Sequence, residues 1–132
     1  MSSCEIPAPP ELQITFLYFH DVPGAQAFYE RVLGAHLAID QGWSKIYQLA
    51  GAAHVGLVDQ SRGAKRATVD KPVQLCLRVP DVDAWHNWVR MQDAANLTEP
   101  RDSIELGIRA FVFDDPEGYQ IEVQSVLKKT AA

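Results

Sequence analysis

The sequence predicts an α+β chain built from two tandem β-α-β-β-β modules. Three observations carry this. The same order of elements appears twice, the candidate helix caps Asp21 and Asp81 stand 60 residues apart, and a polar stretch without apolar periodicity separates the copies. Identity between the halves is low, so the repeat lies in the order of elements.

In the first module, Ile14 to His20 is β-branched and aromatic and reads as a strand. Asp21 then stands at a helix N-cap, with Pro23 in the first turn. Ala25, Phe28, Tyr29, Val32 and Leu33 follow at i, i+3, i+4, i+7 and i+8, a one-sided helical stripe closed by Gly34 as a left-handed cap. Three extended segments come next, near His36–Ile39, Ser44–Ala50 and Ala53–Val58, with Gly51 at the last bend. The second module repeats the plan. Val73–Val79 is the strand and Asp81 the cap, while Val82, Trp85 and Val89 share a helical face with Trp88 beside it. Extended segments are expected near Asn96–Thr98, Ile108–Phe113 and Tyr119–Gln124, with Asp115-Pro116-Glu117-Gly118 as the turn between the last two. The boundaries that follow are an irregular arm over 1–11, a first module over 12–60, a linker over 61–71, a second module over 72–126 and a tail over 127–132.

Composition narrows the function. The chain has 132 residues, 47% of them hydrophobic, enough for one core-bearing fold of ordinary size. Its net charge is −5, which disfavours nucleic acid and anionic membrane surfaces as partners, because both need a basic footprint. The linker carries four basic residues, Arg62, Lys65, Arg66 and Lys71, and reads as solvated chain rather than a phosphate site. No apolar run reaches the ~20 residues of a membrane span, and the first ten residues, three of them proline, lack the build of a signal peptide. Cys4 and Cys76 form no disulfide framework. A cytoplasmic protein is the expectation.

Two motifs carry a family resemblance. Phe28-Tyr29-Glu30-Arg31-Val32-Leu33-Gly34 resembles the "FYxxxLG" helix of the vicinal oxygen chelate superfamily, which includes glyoxalase I, bleomycin-resistance proteins and extradiol dioxygenases. Arg109 to Val123, with Asp114-Asp115-Pro116-Glu117-Gly118 at its centre, resembles the closing hairpin of the same family. The resemblance runs from Leu12 to Ser125. It implies that each module is a curved mixed sheet, that the concave faces line a pocket, and that a homodimer shares that pocket between chains.

Strand parity then sorts side chains, because successive residues point to opposite faces. In Val73–Val79, Leu75, Leu77 and Val79 form the helix-facing side, leaving Gln74, Cys76 and Arg78 for the pocket. In the first strand, Ile14, Phe16, Tyr18 and His20 face inward and Thr15, Leu17 and Phe19 face the helix. In Tyr119–Gln124, Gln120, Glu122 and Gln124 lie opposite Ile121 and Val123, so Glu122 joins the pocket. His54, Tyr47 and Arg109 complete the expected ligand-contacting set.

The resemblance places metal ligands at four inward positions, here Ile14, Gly56, Gln74 and Glu122. Neither Ile14 nor Gly56 has a side-chain donor, so Gln74 and Glu122 remain, with His54 two residues before Gly56 on the same face or His20 as a further donor. Two readings of Gln74 and Glu122 stay open: metal donors, or a hydrogen-bonded pair joined by Arg78. Cys76 is expected to be a small buried hydrophobe rather than a nucleophile.

Three functions follow as alternatives. The first is a metal-free binder of a small organic molecule, with no cofactor, in which Phe16 and Tyr18 supply an apolar wall and Gln74, Arg78 and Glu122 an orienting one. The second is a lyase, isomerase or dioxygenase using Zn, Ni, Mn or Fe to polarise vicinal oxygens, with Glu122 moving the proton. The third is a structural protein whose pocket is filled by its own side chains.

Overall fold

The computed structural model describes residues 5–128, so Cys4 and the outermost residues of the expected arm and tail lie outside the described residues. The chain divides between Ala67 and Thr68 into two units. Both are β-α-β-β-β modules.

The first unit runs β1 (Gln13–Phe19), α1 (Val22–Leu33), β2 (His36–Asp40), β3 (Ser44–Ala50) and β4 (Ala53–Asp59). Its sheet order is β1-β4-β3-β2, with β1 parallel to β4 and the other pairs antiparallel. Helix α1 starts where Asp21 Oδ1 accepts the Gly24 N–H at 3.0 Å, and ends at Gly34, whose φ of 65° suits a residue without Cβ. Between these caps the stripe Val22, Ala25, Phe28, Tyr29 and Val32 is buried. It covers Leu17, Phe19, Tyr47, Val55 and Leu57, the face of the sheet that parity assigns to one side. Tyr29 meets Phe19 and Phe28 edge-on, at centroid distances of 6.3 and 5.6 Å. Full burial of side chains of this size contributes roughly 1.5–3 kcal/mol each, which makes this layer the main source of the unit's stability.

The second unit repeats the topology with β5 (Gln74–Arg78), α2 (Val82–Met91), β6 (Arg101–Ser103), β7 (Ile108–Asp114) and β8 (Gln120–Val126), in the order β5-β8-β7-β6. Asp81 Oδ1 caps α2 through the Ala84 N–H at 3.1 Å. Val82 and Val89 of the helix are buried, as are Phe111, Phe113, Ile121 and Val123 of the sheet. The β7–β8 turn is fixed by Asp115, whose Oδ1 accepts from the N–H groups of Glu117 and Tyr119, and by Gly118 at φ 91°.

One element departs from expectation. The segment Asn96–Thr98 forms no strand; the first strand after α2 is Arg101–Ser103 instead. Asp93 and Asn96 both take φ of 55°, which breaks an extended run, and Thr98 meets β7 only at Val112. No helix among the described residues is long and apolar enough to cross a membrane.

Candidate functional site

Each sheet has one face under its helix and one turned away from it. On the second unit the open face is polar. Parallel pairing sets Gln74 beside Gln120, Cys76 beside Glu122 and Arg78 beside Gln124, so three rows of side chains stand on the same side. Each row closes on itself. Gln74 Nε2 donates to Gln120 Oε1 at 2.5 Å, Cys76 Sγ donates to Glu122 Oε2 at 3.3 Å, and Arg78 donates through Nε and Nη2 to Gln124 Oε1 at 2.8 and 2.5 Å. Gln124 Nε2 then donates to Glu122 Oε2 at 2.8 Å, linking the guanidinium to the carboxylate through one amide. Gln74 and Glu122 therefore sit in different rows, and neither the expected direct pair nor a direct bond from Arg78 to Glu122 forms.

Both bonds to Glu122 fall on Oε2, and no other described residue donates to its second oxygen. Glu122 also lines a cavity of about 400 Å³ with Arg101, Leu106, Ile108, Ala110 and Val112. Val112 is its antiparallel partner on β7, so the cavity continues the open face. The site therefore combines an apolar floor with one carboxylate oxygen held in place by its neighbours. Cys76 is exposed on this face rather than a buried hydrophobe, but partial desolvation by its neighbours pushes the thiol up to about 11, and its hydrogen bond to the Glu122 carboxylate pushes the same way. A thiol so held stays protonated at neutral pH and is a weak nucleophile.

Arg109 is elsewhere. It shares the helix-facing side of β7 with Phe111 and Phe113, and donates to Asp83 of α2 at 3.0 Å and to Asp102 of β6 at 3.1 Å. These two carboxylates, Asp83 first, push its pKa up. A cleft of about 560 Å³ opens beside it, yet the guanidinium facing that cleft is already engaged by two anions.

On the first unit the open face is aromatic and small. Ile14 pairs with His54, Phe16 with Gly56 and Tyr18 with Val58, in the same three-row arrangement. The Phe16 ring lies across Gly56: a Cβ at position 56 would meet it at 2.4 Å. His54 is buried and its Nδ1 bonds the Ala52 carbonyl at 2.8 Å, so that nitrogen carries the hydrogen. His20 is exposed, one residue beyond β1. Tyr47 is turned the other way. It is fully buried beneath α1, donating its O–H to Glu30 Oε2 at 2.5 Å and accepting from Gln26 Nε2 at 2.9 Å. Burial and then the Glu30 bond push it up to about 12. Its ring is thus a core element, closed to any ligand on the open face.

Sequence reasoning placed some of the residues that shape these faces and missed others. Gln120 and Gln124 were legible by parity, since they alternate with Ile121 and Val123. Trp43 and Gly63 sit in turns, where alternation gives no signal. Both line a cleft of about 190 Å³ with Phe16, Tyr18, Ser44 and Val58.

Of the four positions at which the resemblance puts metal ligands, 14 and 56 lie in the first unit and 74 and 122 in the second. Position 14 is aliphatic, the backbone at 56 is covered by the Phe16 ring, Gln74 donates its amide nitrogen to Gln120 and keeps its amide oxygen, and Glu122 accepts twice on Oε2.

Comparison with known proteins agrees with this architecture. The family model for the Glyoxalase/Bleomycin resistance protein/Dioxygenase superfamily matches residues 12–123. A glyoxalase/bleomycin resistance protein/dioxygenase from Nocardioides superposes with a TM-score of 0.74 at 18% identity, over 96% of this chain and 89% of that one. A lactoylglutathione lyase from Agrobacterium tumefaciens gives 0.70 at 22% identity, covering 89% and 94%. The fosfomycin resistance protein FosX from Listeria monocytogenes gives 0.72 at 13% identity, again over 89% and 94%. At these identities the likeness concerns the fold. No curated protein matches significantly in sequence.

Proposed function

Because this chain belongs to the glyoxalase/bleomycin resistance/dioxygenase superfamily, we propose that it binds a small organic molecule against the open face of the second unit, without a divalent ion. The observation that carries this reading is the half-engaged carboxylate of Glu122. Cys76 and Gln124 hold one oxygen and fix its rotamer, and the other is left for a donor in a cavity of about 400 Å³. That volume suits an ordinary small-molecule site. The apolar floor of Ala110, Val112 and Leu106 supplies contact area, while the carboxylate selects a ligand bearing an amine, amidine or hydroxyl. Arg78, one amide away, keeps a compensating positive charge near the carboxylate without capping it. A homodimer, which the resemblance implies, and a cytoplasmic location, the expectation from composition, form part of the same reading.

The test is a screen of amine-bearing fragments by two-dimensional amide NMR, run beside equilibration with Zn, Ni, Mn and Fe. Fragments should shift the amides of Val112, Glu122 and Gln124, and Glu122→Gln should weaken them about tenfold or more, since a charge-assisted bond contributes roughly 1.5–3 kcal/mol. Retention of a stoichiometric ion that is lost in Glu122→Ala would overturn the proposal in favour of metal chemistry. For the dimer, sedimentation at micromolar concentration should give twice the chain mass.

A further inference from the structure

The aromatic cleft of the first unit presents a second set of ligand-binding features, independent of Glu122. Its walls are Phe16, Tyr18 and Trp43, and Val58 and Gly63 close it. Phe16 and Trp43 keep 44% and 42% of their surface exposed, more than aromatic rings in a core retain. Trp43 is held from two sides: its carbonyl accepts the Asp59 N–H at 2.9 Å, and the Arg62 guanidinium stands 5.9 Å from its ring centroid. Two glycines set the shape. Gly56 lets Phe16 lie flat on β4, and a Cβ at Gly63 would come within 2.6 Å of Val58 and 2.9 Å of Tyr18. The loop after β4 therefore approaches the sheet as closely as backbone can. In the wall sits Ser44, 4% exposed, whose Oγ has no hydrogen-bond partner among the described residues. A buried hydroxyl in that condition is an exception that calls for a partner.

We propose that this cleft binds a single planar ring carrying a hydrogen-bonding substituent, the ring against Trp43 and Phe16 and the substituent on Ser44 Oγ. Its volume of about 190 Å³ decides the size class, because a cavity of about 150 Å³ takes benzene. A fused polycyclic ligand would place only one of its rings there. Stacking on the two aromatic walls orients the ring, and the hydroxyl distinguishes a polar substituent from an isosteric methyl. The inference shares with the preceding reading only the premise of a small organic ligand; it requires nothing of Glu122.

Phenol and toluene are the probes, because they differ by a hydroxyl in place of a methyl. Titration followed by the indole N–H signals of Trp43, Trp85 and Trp88 should move Trp43 alone. Phenol should bind about three- to tenfold more tightly than toluene, and Ser44→Ala should erase that preference while leaving toluene unchanged. Trp43→Leu, at a half-exposed site that tolerates truncation, removes that reporter, so it is followed by the backbone amides of Ser44 and Gly63, which should shift with both probes in the wild type and with neither in the variant. Glu122→Gln should alter neither, and this separates the two sites: loss of amine fragments with phenol binding intact tests only the earlier proposal. Equal affinity of phenol and toluene, persistence of the preference in Ser44→Ala, or shifts spread over all three indoles would overturn the inference.

Discussion

Replacing Glu122 by Gln should change the chemistry of its neighbour Cys76 before it changes anything else. The thiol is raised from 9.0 to about 11, with partial desolvation the larger cause and the carboxylate at 3.3 Å the second. At pH 8 that leaves about one thiolate in a thousand, against about one in ten for a thiol of ordinary pKa, a ~100-fold deficit. A more basic thiolate is also a better nucleophile, and with a Brønsted slope of about 0.4–0.5 this returns a factor of roughly eight. Alkylation by iodoacetamide should therefore run about ten- to fifteenfold slower than for an unstructured thiol. Glu122→Gln removes the smaller cause and keeps the desolvation, so it should recover less than one pH unit, which amounts to an acceleration of about two- to fourfold. The measurement is the alkylation rate of Cys76 by mass spectrometry between pH 7 and 10, in a Cys4→Ser background so that one thiol reacts. Linkage has a definite sign here. Between pH 9 and 11 the unfolded chain releases a proton that the folded chain keeps, so stability present below pH 9 is lost as pH rises through that window. A reaction as fast as that of a free thiol, or a rate indifferent to Glu122→Gln, would refute the placement of the carboxylate beside the sulfur.

Two further expectations rest on the same packing. Arg78→Ala leaves the carbonyl of the buried Gln124 amide without its guanidinium, and should lower stability by about 1 kcal/mol, towards the lower end for an unpaired group because water can enter from the exposed Arg78 side; urea denaturation gives the value. Tyr47→Phe keeps the buried ring but removes bonds to Glu30 and Gln26, and should cost about 1–2 kcal/mol while leaving both phenol and amine-fragment binding intact. Since Tyr47 holds its proton to about 12 in the fold, the wild type should lose stability between pH 10 and 12 and the Phe variant should lose less.

How much of this was legible in the sequence depends on the kind of signal each residue carries. Parity worked wherever a strand had one aliphatic face: Leu75 and Leu77 against Gln74, Cys76 and Arg78, or Ile121 and Val123 against Glu122, left little choice of side. It gave no guide for Tyr47, because β3 carries Ile46 and Tyr47 consecutively and both are buried, one on each face. Arg109 was misleading for a related reason. A charged residue in a hairpin suggests a ligand contact, but Asp83 of α2, far away in sequence, and Asp102 of β6, on the neighbouring strand, meet it on the helix side. The strand expected at Asn96–Thr98 failed on backbone conformation, since two residues at positive φ are invisible to a hydrophobic pattern. Trp43 and Gly63 lie in turns, where function follows from the approach of the chain rather than from alternation.

The two units show how a single backbone plan diverges in chemistry. Residues 14, 16 and 18 correspond to 74, 76 and 78 at an offset of 60, and 54, 56 and 58 correspond to 120, 122 and 124 at an offset of 66, because both pairs of parallel strands share one register pattern. In the second unit every row holds two polar side chains, and each must find a partner, so the rows crosslink into a network that fixes Glu122. In the first unit the middle row is Phe16 and Gly56, where one ring takes the space of two side chains and nothing there can chelate or exchange a proton. Restoring a carboxylate at 56 would not restore the chemistry of 122. The new side chain would have to evict Phe16, and it would find no Gln124 equivalent, since Val58 occupies that row and offers no hydrogen bond. The orientation of Glu122 thus depends on its neighbours in two rows, and a single substitution in the first unit cannot supply them.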